Sequence, residues 1–213
     1  MLKTALDIAT WLRKDHFEFF SKFEEPFFGI TAEVDCTLAY KNAKETGESF
    51  FLYYLYASLK AANSIENFRL RIDNGEVYLY DAIHASPTIN RPDGTFGFAY
   101  FDYHSDYQIF KTEAQKEIER VQNATGLVPA GAGQNVIHYS SLPWIKFTSV
   151  SHARAFSFPD SCPKITFGKT FEEGNKLLMP VAVHVNHALV DGIHVGKFLE
   201  EFQNNLNLDF IQK

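Results

Sequence analysis

A buried-strand pattern runs directly into a group of titratable residues in Val181-Ala182-Val183-His184-Val185-Asn186-His187-Ala188-Leu189-Val190-Asp191-Gly192. The apolar run from Leu177 to Val185 is almost uninterrupted, which predicts a strand buried on both faces. Asp191 and Gly192 suit a turn and a helix start. A helix is expected beyond this turn, because apolar residues recur there at helical spacing: Val195, Phe198, Leu199, Phe202 and Leu206. A histidine at the mouth of a rigid strand, beside a carboxylate, is well placed for a general base.

The composition is that of an ordinary globular chain. Hydrophobic residues make up 46% of the 213 residues and charged residues 22%, so we expect a single domain over residues 1–213. The 21 Phe residues favour an aromatic pocket or a subunit interface, although most of them are expected to fill the core. A formal net charge of -6 argues against nucleic acid as a partner, because such a surface needs a basic stripe.

The cysteines and the chain start predict a cytoplasmic protein. Cys36 and Cys162 lie far apart and suggest no disulfide framework, so a reducing compartment is the default. The segment from Met1 to Lys14 is broken by charges and does not resemble a signal peptide. No apolar run reaches the length needed to span a membrane, so no membrane partner is expected.

Local patterns predict the remaining elements in an order that does not alternate strictly between strand and helix. Strands are expected over 29–38, 68–72, 76–80, 95–101, 164–171 and 176–185, and within 136–150 around 142–149; helices are expected from Asp7 onward and over 42–46, 49–62 and 105–123. Loops are expected at Pro87, 90–94, 126–133 and 151–163. This count, roughly seven or eight strands and four or five helices, indicates a mixed α/β (α+β) protein.

A metal site is not expected around His187. The candidate ligands His184, His187, Asp191 and His194 would have to converge on one point. Side chains alternate along a strand, so His184 and His187 point to opposite sides. His184 is interpreted as a core or hairpin residue and His194 as a helix-surface residue.

Two further classes are excluded by missing motifs. A serine hydrolase needs a nucleophile on a sharp elbow, and G-x-S-x-G does not occur. The P-loop pattern is also absent, and Gly131-Ala132-Gly133 lacks the strand–turn–helix context of a dinucleotide fingerprint.

Three motifs carry a resemblance to a known family. His187-Ala188-Leu189-Val190-Asp191-Gly192 matches the H-x-x-x-D-G signature of the coenzyme-A-dependent acyltransferases. The segment 10–20 resembles the N-terminal W-x-R-x-x-H-F-x-F motif of chloramphenicol acetyltransferases, and 142–149 resembles their L-P-W-x-x-F-x-S segment. Because the motifs are in register over nearly the whole chain, the sequence resembles the chloramphenicol acetyltransferase family.

The resemblance implies a fold and an assembly. The expected fold is a two-layer sandwich, in which helices cover a large mixed β-sheet. The chain is expected to form a homotrimer with active sites between subunits. Acetyl-CoA is the implied cosubstrate, a small hydroxylated molecule the implied acceptor, and no metal is implied. Antibiotic resistance is the implied biological role.

The resemblance also assigns roles to residues at the matching positions. His187 would accept a proton from the acceptor hydroxyl, whose oxygen attacks the thioester directly without an acyl-enzyme intermediate. An imidazole titrates near pH ~6.5, so it needs little tuning for this task. Ser149 would donate to the carbonyl oxygen, although the residues alone do not favour it over Ser140, Ser141 or Ser151. Thr166 would help to hold a water near the transition state.

Other residues are implied to support or bind. Asp191 would pair with Arg13 and fix the loop that presents His187. Phe19 and Phe20 would line the acceptor site. Lys169 would lie near the adenosine 3′-phosphate of coenzyme A, although a solvated lysine is nearly as good an interpretation.

The sequence departs from the family pattern at three positions, which leaves the acceptor open. Asn186 replaces a second histidine, Phe20 replaces a tyrosine that lines the antibiotic site, and Thr148 stands where an acidic residue is common. The loss of the tyrosine hydroxyl could shift acceptor preference.

Three interpretations therefore stand. The first is acetylation of chloramphenicol or a similar hydroxylated aromatic compound, and the second is the same chemistry on another metabolite hydroxyl. The third is a non-catalytic trimer that binds coenzyme A, against which the intact His187 and Ser149 count. A dihydrolipoyl acyltransferase core is less favoured, because no lipoyl domain or linker precedes the fold in this sequence.

Overall fold

The computed structural model describes residues 2–127, 133–155 and 160–211. This part of the chain forms ten strands and six helices. The strands are β1 (Lys3–Ala5), β2 (Phe27–Asp35), β3 (Leu70–Asp73), β4 (Glu76–Tyr80), β5 (His84–Asn90), β6 (Phe96–Phe98), β7 (Val136–Leu142), β8 (Lys164–Gly168), β9 (Phe171–Glu173) and β10 (Lys176–Asn186). The helices are α1 (Lys14–Phe20), α2 (Thr37–Thr46), α3 (Phe50–Ser64), α4 (Glu66–Arg69), α5 (Tyr107–Gln122) and α6 (Gly192–Leu206).

A mixed sheet of seven strands forms the centre of the fold. Its order is β2-β10-β8-β7-β5-β6, with β9 paired to one end of β10. β10 is antiparallel to β2 and β8, whereas β7 is parallel to both β8 and β5. A second, antiparallel sheet has the order β1-β4-β3. The predicted mixed sheet with covering helices is confirmed.

Strand β10 holds this sheet together, and its sequence explains why. The strand is 11 residues long, and its residues from Leu178 to Asn186 pair with β2. Val181, Val183 and Val185 are completely buried, and β-branched residues suit a pleated surface that is packed on both sides. The predicted strand is therefore confirmed.

The two faces of the large sheet differ in chemistry. On one, here called the helix face, Phe167 lies 4.7 Å from the ring of Tyr54 in α3 and 5.9 Å from Phe202 in α6. The helix face also carries Val181, Val183, Val185, Tyr139 and Ile165. The other, here called the polar face, carries a row of paired residues across four strands: Ser86, His138, Lys164 and His184. Register pairing places these four side chains on the same side of the sheet.

Helix α3 shows how local signals build the helix layer. Ser49 caps it by accepting a hydrogen bond from the backbone N–H of Leu52 at 3.4 Å. Its buried residues include Leu55, Leu59 and Ala62, which follow the helical spacing that predicted this element. Asn205 of α6 donates to the carbonyl oxygen of Ala57 at 3.1 Å and so ties the two helices together.

Several predicted elements were wrong in position. The N-terminal helix begins at Lys14 and not at Asp7, whose carboxylate instead accepts from the backbone N–H of Ala9 in a turn. The strand predicted within 136–150 exists as β7, but its placement around 142–149 is wrong, because β7 ends at Leu142 and the chain then turns, with Ile145 N–H donating to the Leu142 carbonyl oxygen. Pro143 explains this break, since proline cannot donate to a strand ladder.

Pro87 was predicted to mark a loop but lies inside β5, paired with Tyr139. Its missing N–H costs one ladder bond, while its carbonyl oxygen still accepts from Ala99 N–H at 2.9 Å. Burial of residues 84–87 outweighs that loss.

The predicted strand over 95–101 is shorter than expected, at Phe96–Phe98. Part of the predicted loop 126–133, and part of 151–163, lies outside the described residues. None of the described helices is long and apolar enough to cross a membrane.

Gly29 is required by close packing on the polar face. A Cβ atom at Gly29 would lie 2.6 Å from Cδ2 of His184, its cross-strand partner. The His184 ring is held in place by His152, whose ring packs edge-on at 4.7 Å. We expect Gly29→Ala to lower the free energy of unfolding by about 1–3 kcal/mol, because overpacking forces the ring or the strand to shift. Chemical denaturation measures this change.

Gly196→Ala is the matched control for Gly29→Ala. Gly196 lies in α6 with open space around the missing side chain, so alanine there should be neutral or stabilise by up to about 1 kcal/mol. The double variant Gly29→Ala/His184→Ala should recover part of the loss. Wild-type stability in Gly29→Ala alone would contradict this account of the strand contact.

Candidate active site

His187 is presented by a tight turn at the end of β10. Its backbone N–H donates to the carbonyl oxygen of Pro26 at 2.8 Å, which continues the pairing with the β2 side of the sheet. Asn186 closes the turn, because its side-chain oxygen accepts from Ala188 N–H at 2.9 Å and its carbonyl oxygen accepts from Val190 N–H at 3.0 Å. Asn186 is almost completely buried, so the residue that replaces a second histidine has a structural task here.

Aromatic rings fix the plane of the His187 side chain. Phe20 stacks on it with ring centroids 3.9 Å apart and planes 11° apart, and Phe28 lies 4.5 Å away at an angle of 48°. Phe19 and Phe23 extend this cluster and are both exposed, at 5.1 and 5.4 Å from Phe20. The His187 side chain itself is 33% exposed. An aromatic surface therefore continues from the imidazole towards solvent.

Arg13 joins the N-terminal helix to the turn that carries His187. Its guanidinium donates two hydrogen bonds to the Asp191 carboxylate, one through Nη2 at 3.0 Å, and Nη2 also donates to the His187 carbonyl oxygen at 3.2 Å. The Asp191 carboxylate oxygen Oδ1 lies 3.3 Å from His187 Nδ1. Sequence reasoning brought these three residues together, and the structure places them in one network.

The Arg13 guanidinium also sets the charge of Asp191. Burial by itself would raise the pKa of this carboxyl group, but the hydrogen bond and the positive charge of Arg13 outweigh it and hold the pKa below its ordinary value of 3.8. Asp191 is therefore ionised at neutral pH, and a carboxylate faces Nδ1 of His187.

His194 has a different role from the predicted helix-surface position. Its Nδ1 accepts the backbone N–H of Asp191 at 2.9 Å, so the side chain caps the start of α6 from inside the first turn. Burial, and then the charge of Arg13, lower the pKa of His194 and keep Nδ1 free to accept. His194 does lie on α6 but is half-buried, and the sequence analysis, which predicted the helix start, did not identify this capping contact.

Thr166 lies on the polar face, away from the contacts of His187. Thr166 is buried, and its Oγ1 lies 2.8 Å from Nε2 of His152, whose ring also contacts His184. Ser149 is exposed, three residues before His152 in the segment that crosses this face. Burial lowers the pKa of His152 to about 4, so this ring is neutral at neutral pH.

Within one chain, His187 contacts the helix face, whereas His152 and Thr166 meet on the polar face. Phe28, which contacts the His187 ring, is the register partner of Val185 on the helix face. In the described residues no hydrogen bond joins the side chains of Ser149 and His187. One copy therefore brings together His187, Asp191, Arg13 and the aromatic cluster, and none of their described contacts reaches Ser149 or Thr166.

Lys169 lies at the end of β8. It is exposed, and its backbone N–H donates to the Ile145 carbonyl oxygen at 2.9 Å. This bond anchors the turn after Leu142 to the lysine position. Lys169 thus lies next to the chain segment that leads from Ile145 to Ser149.

Three groups on the polar face have the chemistry of metal ligands. His138, Asp160 and Cys162 place ligand atoms within 4.8 Å of one another, which the sequence spacing did not reveal. The Lys164 ammonium donates to the Asp160 carboxylate, so a cation already balances that charge. Burial also raises the pKa of the Cys162 thiol, which disfavours the thiolate that a metal needs. We assign no metal to this trio, and a mechanism without metal stays a prediction.

Sequence reasoning missed two residues of the site. Phe28 was hidden because its ring meets His187 only through pairing between β2 and β10. The alternation of Phe28 with Ile30, Ala32 and Val34 places it on the helix face and could have suggested it. His152 gave no signal, because its contact with Thr166 depends on how an irregular segment crosses the sheet.

Breaking the Arg13–Asp191 pair on one side should destabilise the protein. The two side chains are only 12% and 27% exposed, so Asp191→Asn leaves a poorly solvated guanidinium without its counter-charge. We expect a loss of about 3 kcal/mol in unfolding free energy and a large loss of any activity that depends on His187. Arg13→Met/Asp191→Asn should lose less than the sum of the single variants. Full activity and stability in Asp191→Asn would refute this pairing.

The same pair predicts a pH dependence of stability. Since the folded state lowers the pKa of Asp191, the unfolded chain binds this proton more readily, and stability falls with falling pH. The contribution is complete above the ordinary pKa of 3.8 and is lost as pH falls through the lower folded value. Denaturation curves of the wild type should therefore show a loss of stability as the pH falls, and this loss should be smaller in Asp191→Asn.

Comparisons with known proteins agree with this geometry. Residues 1–203 match the family model for chloramphenicol acetyltransferase. A chloramphenicol acetyltransferase of a Klebsiella species is 30% identical over 201 residues, which cover 94% of this chain and 92% of that protein. Chloramphenicol acetyltransferase 3 of Escherichia coli is 30% identical over 207 residues, covering 96% of this chain and 97% of that protein.

Solved structures extend the likeness to the fold. A structure named chloramphenicol acetyltransferase has a TM-score of 0.90 at 35% identity and covers 96% of this chain and 100% of its own. A probable dihydrolipoamide acetyltransferase of Listeria monocytogenes shares the fold alone, with a TM-score of 0.67 at 16% identity over 90% of this chain and 88% of its own. By its motifs, its architecture and these full-length matches, the chain belongs to the chloramphenicol acetyltransferase family.

Proposed function

We propose that the protein is an acetyl-CoA-dependent O-acetyltransferase that acts on a hydroxyl of chloramphenicol or a similar small aromatic acceptor. The observation that carries the proposal is the setting of His187. Its Nδ1 is buried beside the Asp191 carboxylate while the ring is 33% exposed, so Nε2 is the nitrogen that an acceptor can reach. A carboxylate next to Nδ1 favours the tautomer with the proton there, which leaves a lone pair on Nε2.

His187 acts as the general base in one direct transfer. The acceptor hydroxyl gives its proton to Nε2 while its oxygen attacks the thioester carbonyl carbon. The carbon–sulfur bond then breaks, and the coenzyme A thiolate takes the proton from Nε2, so no acyl-enzyme forms. A positioned base of this kind contributes about 10²- to 10⁴-fold to the rate. Phe20 and Phe28 keep the ring in the plane that this transfer needs.

The polar face supplies the second half of the site. During the attack, negative charge develops on the carbonyl oxygen, and we assign the Ser149 hydroxyl as its donor, worth roughly 3 to 4 kcal/mol. Thr166 supports a water beside this oxygen. We infer that Ser149, three residues before His152, lies with His152 and Thr166 on the polar face, so a complete site takes His187 from one copy and Ser149 from another. A homotrimer with active sites between subunits meets this requirement.

Mixed assemblies test this arrangement. His187→Ala and Ser149→Ala should each lower the turnover of acetyl-CoA and chloramphenicol by at least about 100-fold, measured as thiol release. If the two variants are co-expressed in equal amounts, sites that combine an intact His187 with an intact Ser149 should restore about a quarter of wild-type activity. Ser151→Ala is the matched control and should keep wild-type turnover.

Two outcomes would count against the proposal. Mixed assemblies that are as inactive as the separate variants would refute sites shared between subunits. Wild-type protein that binds acetyl-CoA but acetylates neither chloramphenicol nor related hydroxyl compounds would refute the catalytic function and favour a coenzyme A-binding protein.

Lys169 is proposed to bind the 3′-phosphate of coenzyme A as an exposed point charge. Lys169→Met should raise the KM for acetyl-CoA by about 10-fold and leave kcat nearly unchanged. Acetyl-CoA without its 3′-phosphate is the matched control, since its KM should not respond to the substitution. An equal response of both cosubstrates would remove this assignment.

Use of acetyl-CoA and two buried free cysteines favour the reducing cytoplasm as the place of action.

A further inference from the structure

A large cavity on the polar face adjoins the groups proposed to act there. Its volume is about 770 Å³, and it lies over β7 and β8 beside the segment that begins at His152. His152 lines the cavity and its Nε2 lies 2.8 Å from Oγ1 of Thr166. Ser149 precedes His152 by three residues. A molecule in this cavity would thus lie next to the oxyanion side of the proposed reaction.

The walls of the cavity are chemically unequal. Phe96 and Phe98 of β6 form an aromatic wall, with ring centroids 5.6 Å apart. The floor is polar, because His138 and Lys164 are cross-strand partners on the polar face. Aromatic side chains on one side and hydrogen-bonding groups on the other suit a ligand that is itself an aromatic ring with a polar substituent.

The floor carries a net positive charge. Lys164 has a side chain that is only 9% exposed, and its ammonium donates to the Asp160 carboxylate and, at 3.3 Å, to the Cys162 carbonyl oxygen. Behind it, the completely buried Arg71 donates only to carbonyl oxygens in the described residues, including those of Gln134 and Val136, which line the cavity. Arg154 also lines the cavity and pairs with Glu25, so three cations (Lys164, Arg71 and Arg154) stand against two carboxylates (Asp160 and Glu25), and the described ion pairs leave one positive charge without a carboxylate partner.

His138 completes the floor without adding charge. Its ring lines the cavity. The surrounding residues keep most water from the ring, and this burial, followed by the charge of Lys164, lowers the pKa of His138 to about 4. It is therefore neutral at neutral pH and offers one donor and one acceptor. An uncharged apolar acceptor would strip water from His138 and Lys164 without replacing those hydrogen bonds, which is unfavourable. An oxygen anion would replace them and balance the unpartnered charge.

We propose that this cavity binds the acceptor and selects a hydroxylated aromatic compound that carries a carboxylate. This inference rests on the proposed acetyltransferase function, since it names the acceptor of that reaction. The ring packs against Phe96 and Phe98, and the carboxylate lies over His138 and Lys164. Lys164 and Asp160 act on specificity with opposite signs, because one adds to the positive charge of the floor and the other reduces it.

Calorimetry without acetyl-CoA tests this binding apart from turnover. The probes are three phenylpropanediols that differ only at the para position of the ring, with a carboxylate, a nitro or a methyl group. Wild type should bind the carboxylate at least about tenfold more tightly than the methyl compound, and added salt should weaken this preference. The nitro compound should lie between them.

Two substitutions separate charge selection from general damage. Lys164→Gln should weaken binding of the carboxylate compound by about tenfold, whereas Asp160→Asn should strengthen it by a similar factor. Neither should change the affinity for the methyl compound, and structural damage cannot produce opposite effects of the two. Thermal melts of both variants check that they are folded.

The outcomes distinguish this inference from the function on which it rests. If wild type acetylates the nitro compound through His187 but binds the carboxylate compound no better than the methyl compound, the carboxylate preference is wrong and the acetyltransferase stands. If Lys164→Gln and Asp160→Asn each weaken the binding of all three compounds by the same factor, the carboxylate preference is also wrong. If the carboxylate compound binds with the expected response to Lys164 and Asp160 but is never acetylated, the cavity assignment stands and the acetyltransferase is wrong.

Discussion

The ion pair between Arg13 and Asp191 is the constraint on which the candidate site depends. It joins residues that are 178 positions apart and so fixes α1 against the turn between β10 and α6. The same guanidinium holds the carbonyl oxygen of His187, and the same carboxylate faces its Nδ1. Phe20 arrives on α1 and stacks on the imidazole only because this helix is held in place. Charge pairing thus sets both the position and the plane of the proposed base.

The sheet divides the chemistry of the chain into two halves. Its helix face is sealed by α3 and α6 and leads to His187 at one end, while its polar face carries Thr166 and the cavity above Lys164. No single copy unites these halves in the part of the chain that the structure describes. Under the proposed function, a complete site would need groups from two copies, so assembly would be a chemical requirement of the reaction.

Local signals made much of this architecture predictable. The helix over 49–62, the strands on either side of Asn74-Gly75 and the apolar run of β10 follow signals that act within a few residues, so the sequence alone was sufficient for them. The contacts of Phe28 with His187 and of His152 with Thr166 could not be predicted, because they depend on strand register and on an irregular crossing. At Pro87 the local signal predicted a loop, whereas the residue lies in a strand, because burial of that strand outweighs the local preference.

The two-faced sheet also separates what keeps the protein folded from what decides its substrate. Val181, Val183 and Phe167 bury apolar area against helices, and their replacement is costly wherever it occurs. His138 and Phe96, in contrast, face a cavity and contribute little to that core. Substitutions in the cavity can therefore change its lining and leave the core packing intact. A fold of this kind can acquire new acceptors by a few substitutions on one side of a single sheet, because none of the intermediate variants needs to lose the packing that keeps the protein folded.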